Sequence, residues 1–157
     1  MPDLTVGKGS TVRLGAARPA FLAVGTAASN ITGDSTDAAI VYGTEVQDDG
    51  GNYDYTTGIF TAPVDGWYHF DFSLLIQGIV STNAQCQLGV LAATVARWQH
   101  IVHAYACSAS GSLMLHGSVS VYLTAAQTVQ VHLLCYGTGK GIGITAGHGT
   151  FSGFLIN

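Results

Sequence analysis

GNYDYTTGIFTAPVDGWYHFDFSLLI, residues 51–76, holds one alternating run, 53–61, and all but the last residue of a second, 67–77, with Pro63-Val64-Asp65-Gly66 between them. In the second run Tyr68, Phe70, Phe72, Leu74 and Ile76 fall on one face. Trp67, His69, Asp71, Ser73 and Gln77 fall on the other, with Leu75 as the apolar exception. A period of two, with one face apolar, is the mark of a strand whose sheet covers a core. Pro63 presets φ and Gly66 accepts positive φ, so the intervening tetrapeptide reads as a turn.

The rest of the chain repeats this texture. Short alternating runs recur at 20–24, 38–46, 84–93, 98–106, 113–124, 128–136 and 150–156. Leu115, Gly117, Val119, Val121 and Leu123 share a face, as do Val129, Val131, Leu133 and Cys135, and Ala125-Ala126-Gln127 joins the two runs. Residues 25–37, 47–52 and 137–149 read as loops. No capped helical period appears, so the chain reads as all-β. Its 157 residues fit one domain with a sizeable core.

Only 9% of residues are charged, well below the roughly 25% of ordinary soluble domains. Burial of surface between subunits accounts for this, as does a surface rich in Ser, Thr, Gly, Asn and Gln. All nine carboxylates lie within the first 71 residues. A net charge of −4 with no basic cluster argues against nucleic-acid binding. No run is long enough to span a membrane as a helix. The three cysteines, Cys86, Cys107 and Cys135, have no CxxC spacing and sit in apolar runs, which suggests buried thiols; one disulfide with a spare thiol remains open.

Several motifs together resemble the globular heads of complement C1q. They are Gly51 and Tyr53; Thr57, Gly58, Phe60 and Pro63; Gly66, Tyr68 and Phe70; and Phe151-Ser152-Gly153-Phe154-Leu155 near the end. Pro19-Ala20-Phe21 resembles the first strand of that family. The resemblance spans residues 19–157 and implies a jelly-roll sandwich of about ten antiparallel strands, related to tumour necrosis factor, assembled as a homotrimer. No collagen-like Gly-X-Y tract accompanies it. Residues 1–18 read instead as an extended arm carrying Lys8, Arg13 and Arg18.

Candidate chemistry is sparse. GTGKGIG, 137–143, lacks the glycine spacing and the Ser or Thr of a phosphate loop. His100 and His103, three apart on a strand, point to opposite faces. His69, His116 and His132 lie on outward faces, with Asp71 beside His69, and would cluster if their strands were neighbours. On a threefold axis such a cluster would suit a metal. Asp48, Asp49 and Asp54 offer oxygens for calcium but match no EF-hand loop, and a solvated acidic turn is the plainer reading. A Ser-His-Asp triad would have to draw its acid from the early strands, and no Gly-x-Ser-x-Gly elbow exists. Asn30-Ile31-Thr32 is a glycosylation sequon.

The expectation from sequence is therefore a non-enzymatic homotrimer without a cofactor. Met1, the lack of an export-signal core, the scarcity of charge and the arm point to a virion structural protein of a bacteriophage, made in the host cytoplasm. It would be a capsid decoration or cement trimer, or a fibre-tip knob, with other virion proteins as partners. The alternative is an extracellular binding or adhesion module that recognises proteins or glycans. Trp67 and Tyr122 are the expected subunit-contact aromatics.

Overall fold

The computed structural model describes residues 18–103 and 111–156, with the backbone of Leu4–Thr5 and Thr11–Val12. Those two short segments, β1 and β2, pair antiparallel. Lys8 and Arg13 of the expected arm, and Cys107, lie outside the described residues.

Two antiparallel sheets enclose the core. The first is built from β3 (Ala20–Val24), β4 (Ala28–Thr32), β6 (Thr44–Asp49), β9 (Gly66–Ile79), β12 (Gly111–Leu123), β14 (Ile142–Ile144) and β15 (Thr150–Leu155). Within it β9 pairs along its length with β12 on one side, and with β15 and β14 on the other. The second holds β5 (Asp37–Ala39), β7 (Tyr53–Asp54), β8 (Ile59–Thr61), β10 (Gln85–Ala92), β11 (Val95–His103) and β13 (Thr128–Tyr136). Its order is β11-β10-β13-β8-β7, with β5 also on β13. Most successive long strands alternate between the sheets, which is how a jelly roll closes. No helix long and apolar enough to cross a membrane occurs among the described residues.

The alternation of the opening stretch holds in three dimensions. Tyr68, Phe70, Phe72, Leu74 and Ile76 are buried, and so are Val129, Val131, Leu133 and Cys135 from the opposite sheet. β9 thus supplies rings to the core, and β13, facing it, supplies mostly branched aliphatics, while Tyr53 and Phe60 add rings from β7 and β8 of the second sheet. The signature residues form the aromatic part of this core. Tyr53 stacks on Phe21 with centroids 4.7 Å apart, and Phe21 stacks on Phe60 at 5.1 Å. Phe151 meets Phe21 edge-on at 4.9 Å, and Phe60 meets Phe70 edge-on at 5.3 Å. The Tyr53 hydroxyl donates to the Tyr42 carbonyl at 3.0 Å, and the Tyr42 hydroxyl to the Ser73 carbonyl at 2.9 Å. Burial pushes both phenols well above the ordinary tyrosine range. Gly153 has no room for a side chain, because a Cβ there would lie 2.6 Å from a carbon of the Phe70 ring.

Several sequence expectations need correction. The run 53–61 is a tight hairpin, not one strand: Tyr53 pairs with Phe60 and Asp54 with Ile59. The Asp54 carboxylate causes the reversal. It accepts from the Thr56 N–H at 2.8 Å and the Thr56 hydroxyl at 2.6 Å, and Gly58 turns the chain with φ +76°. The run 38–46 breaks into β5 and β6, since Ile40 and Tyr42 turn into the core between them. The loops 25–37 and 137–149 contain β4 and β14, which pair with each other. Polar β4 and glycine-rich β14 lack the alternation that sequence reading depends on. The acidic segment 47–52 begins as the end of β6 and turns only at Gly50 and Gly51. Among the described residues the strands number thirteen in the two sheets and two in the β1–β2 pair, several of them two or three residues long, against the ten or so expected.

The Asp54 turn carries a pH signature. Its hydrogen bonds from Thr56 hold the carboxyl below the ordinary aspartate value of 3.8. A depressed folded-state pKa stabilises above the unfolded pKa, and that contribution is lost as pH falls through the folded value. An NMR titration should place Asp54 below 3.8 in the native protein. Thr56→Val should move it back up, and a titration unaffected by that change would remove Thr56 as the cause.

Candidate interaction face

The outward side of β9, β12 and β15 exposes Trp67, Tyr122, Phe154 and Met114 beside His69 and His116. Register sets the pattern. Trp67 lies opposite Tyr122, His69 opposite Ser120, Asp71 opposite Ser118 and Ser73 opposite His116. On the other side of β9, Phe154 lies opposite His69. Trp67 and Tyr122 meet edge to face at 6.0 Å. Trp67 is 48% exposed, Tyr122 50%, Phe154 46% and Met114 44%. Exposed aromatics held against each other on a rigid strand pair present a flat surface with little left to order on contact.

His69 is fixed at the centre of this face. Its Nε2 lies 3.3 Å from Asp71 Oδ2 and its Nδ1 lies 2.9 Å from Ser120 Oγ. A carboxylate only accepts, so Nε2 carries the proton toward Asp71. In the neutral ring Nδ1 then accepts from the Ser120 hydroxyl. The Phe154 ring packs against the imidazole at 5.5 Å. Ser120, His69 and Asp71 thus follow the connectivity of a hydrolytic relay, with the acid coming from an early strand as sequence reading required. A relay needs an enclosed site with oxyanion donors around it. Ser120 stands on an exposed strand face, and the neighbouring cleft is lined by neither Ser120 nor His69.

That cleft, about 480 Å³, lies further along the same strands, between Asp71, Ser73, Gln99, His116, Gly117 and Thr150. It exists because Gly117 has no side chain: a Cβ would sit 2.7 Å from Gln99 Cβ and 2.8 Å from the Phe72 ring. At its edge the His116 N–H donates to His100 Nδ1 at 3.1 Å, and the two rings meet edge-on at 5.0 Å. Gln99 and His100 of β11 therefore close the seam between the sheets. A second, mostly apolar cleft of about 340 Å³ lies between Arg18, Pro19, Asp49, Pro63, Val64 and Leu155. There Arg18 Nη1 donates to the Ile156 carbonyl at 3.1 Å, which fixes where the N-terminal segment leaves the domain.

The proposed clustering of three histidines fails for one member. His69 and His116 share the β9–β12 face, but His132 stands on the other sheet, where Nδ1 lies 2.9 Å from Asp37 Oδ1. The acidic residues do not converge either. Asp48 Oδ2 accepts from the Tyr53 N–H at 2.8 Å, Asp49 from Gln47 Nε2 at 3.0 Å, and Asp54 from Thr56. No group of three His, Cys, Asp or Glu side chains suited to a metal occurs among the described residues.

The signature residues are placed as follows. Tyr53, Phe60, Tyr68, Phe70 and Phe151 are buried in the core, and Gly153 lies within it. Gly51 and Gly58 take φ of +67° and +76° at the turns, Gly66 opens β9 opposite Leu123, and Pro63 lines the second cleft. Phe154 alone faces outward on the interaction face. Its spacing of three from Phe151 was the available signal, since residues three apart on a strand face opposite sides. Ser120, Met114 and Gln99 were not anticipated there. Ser and Gln carry no distinctive sequence signal, and their place depends on cross-strand register.

Comparison with known proteins agrees with this architecture. The sequence profile of the C1q domain matches residues 20–156. No curated protein matches the chain. Among solved structures, the globular domain of a zebrafish complement 1qA protein superposes with a TM-score of 0.61 at 21% identity, covering 88% of this chain and 98% of that one. Murine APRIL, crystallised at pH 8.0, superposes with a TM-score of 0.60 at 10% identity, covering 89% of this chain and all of the other (100%). At such identities the structural likeness speaks for the fold alone. The profile match covers most of the chain, and the protein belongs to the C1q domain family.

Proposed function

We propose that this C1q-like domain is a non-enzymatic interaction module that works as a homotrimer, with the Trp67–Tyr122–Phe154 face buried between subunits. The observation that carries this reading is the aromatic group itself: three rings, each close to half exposed, stand together on one sheet face around a pre-paired His69 and Asp71. Asp71 enters such a contact already accepting a hydrogen bond from His69 Nε2, which lowers the cost of removing it from water. The sparse charge of the chain supports the same reading.

Light scattering behind a sizing column tests it. The protein should elute with the mass of three chains. Trp67→Ala with Tyr122→Ala should weaken the assembly by roughly 2 kcal/mol or more per contact, as for truncated aromatic anchors. A double variant that stays trimeric at high dilution would show that another surface joins the subunits.

As its biological setting we propose a virion structural role, a capsid decoration trimer or fibre-tip knob held by the segment 1–18. What supports this is the basic content of that segment and the exit of the chain beside the apolar cleft at Arg18 and Val64. The extracellular binding module is the competing setting, and it is at least equally compatible with membership of the C1q domain family. Deleting residues 1–18 should abolish attachment to a particle and leave the trimer intact. A truncated protein that still attaches would remove the anchoring role.

A further inference from the structure

Cys86 and Cys135 are both free and fully buried. They lie directly opposite each other on β10 and β13. The backbone shows which kind of pair they make. The Cys135 N–H donates to Thr32 Oγ1 at 3.1 Å, and the Cys135 carbonyl accepts from the Ser35 N–H at 3.0 Å. Both polar groups of Cys135 therefore point away from β10. Farther along the same strand, the Val131 carbonyl likewise accepts from the Ile40 N–H, at 2.8 Å. Cys86 and Cys135 thus occupy a non-hydrogen-bonded position of the β10–β13 ladder. That is the closer of the two antiparallel positions, with Cα atoms about 4.5 Å apart and side chains nearest. Disulfides span Cα separations of roughly 4.4–6.8 Å, so a bond can close here without moving the strands apart.

We propose that Cys86 and Cys135 form a redox-responsive dithiol that closes to an intrachain disulfide stapling β10 to β13 when the protein meets a disulfide oxidant. The two thiols lie near enough to perturb each other's ionisation. Cys135 beside it holds the Cys86 thiol below its ordinary range, and Cys86 together with burial pushes Cys135 up. Cys86, once its proton has passed to solvent, is the attacking thiolate. It attacks one sulfur of a small-molecule disulfide, and one thiolate leaves. Cys135 then loses its proton to solvent, attacks Cys86 Sγ and displaces the second thiolate. Two protein S–H bonds and one small-molecule S–S bond become one protein S–S bond and two small-molecule thiols.

Access comes from the end of the ladder. Cys86 is the second residue of β10 and Cys135 the second-last of β13, so the pair lies where strands open first. Tyr136 beside it is 38% exposed. The buried Asn83 side chain latches this end, with Nδ2 3.4 Å from the carbonyls of both Tyr136 and Gly33.

The test uses the full chain incubated with oxidised glutathione, then denatured, alkylated and mapped by mass spectrometry. The expected result is one intrachain link between Cys86 and Cys135, the loss of two hydrogens in mass, and an alkylated Cys107. The melting temperature should rise by about 10 °C, reversibly with dithiothreitol. Cys107→Ala should behave the same, and Cys135→Ala should form no such link. Three alkylated cysteines, a persistent glutathione adduct, a link to Cys107, or a link without a reversible rise in melting temperature would each overturn the proposal. Because Cys107→Ala leaves both core thiols in place, it decides the question even if Cys135→Ala does not fold.

Discussion

Tyr68→Ala is expected to cost about 3–5 kcal/mol of stability, the range for truncating a buried aromatic. The ring is fully buried between Phe60 and Phe70, with centroids 5.5 Å and 6.2 Å away. Its hydroxyl donates to the Val64 carbonyl at 2.8 Å, which ties the strand to the turn that precedes it. Burial raises the pKa of this phenol in spite of that bond, so it stays a neutral donor across physiological pH. Alanine removes the ring, leaves a cavity bordered by rigid aromatics that collapse poorly, and strands the Val64 carbonyl. Tyr68→Phe separates the contributions: it keeps the ring and should cost only about 1 kcal/mol. Urea denaturation checks both. A near-neutral Tyr68→Ala would mean that β9 presents its other face to the core. A Tyr68→Phe as costly as the alanine would mean that the hydroxyl, not the ring, holds the turn.

Gly58→Val should be nearly as damaging, at about 3 kcal/mol, for a backbone reason. Gly58 has φ +76°, where a β-branched residue is strained. A Cβ there would also lie 2.5 Å from the Ile40 carbonyl oxygen and 3.1 Å from Val41 Cα. Both neighbours are backbone and cannot rotate aside, so the β7–β8 hairpin must shift off the segment between β5 and β6. Gly51 provides the comparison. Its φ is +67°, but a Cβ there would meet nothing within 4 Å, so Gly51→Ala carries the conformational strain alone, about 1 kcal/mol. Equal losses at the two positions, measured by the same denaturation, would show that the clash at Gly58 is relieved elsewhere.

The contrast between those glycines shows how far sequence reading reaches. Both were legible as signature glycines, Gly51 in a turn and Gly58 within a run read as a strand, and only the tertiary structure sets Gly58 at a hairpin turn against the Ile40 backbone. The sequence by itself determined which faces are buried, because β9, β12 and β13 alternate over most of their length, with Leu75 and Leu134 as exceptions, and a one-residue slip would expose the core side chains. It also determined that charge is scarce and confined, for the carboxylates, to the first half of the chain. It did not reveal β4 and β14, whose polar and glycine-rich strands pair through backbone groups and have little periodicity to read. It did not separate His132 from His69 and His116, since the sheet a strand joins depends on crossovers between distant segments. The same holds for Ser120 beside His69, and for Cys86 opposite Cys135. Each pair is made by the register of strands far apart in the chain, and register is fixed only when both sheets close over a common core.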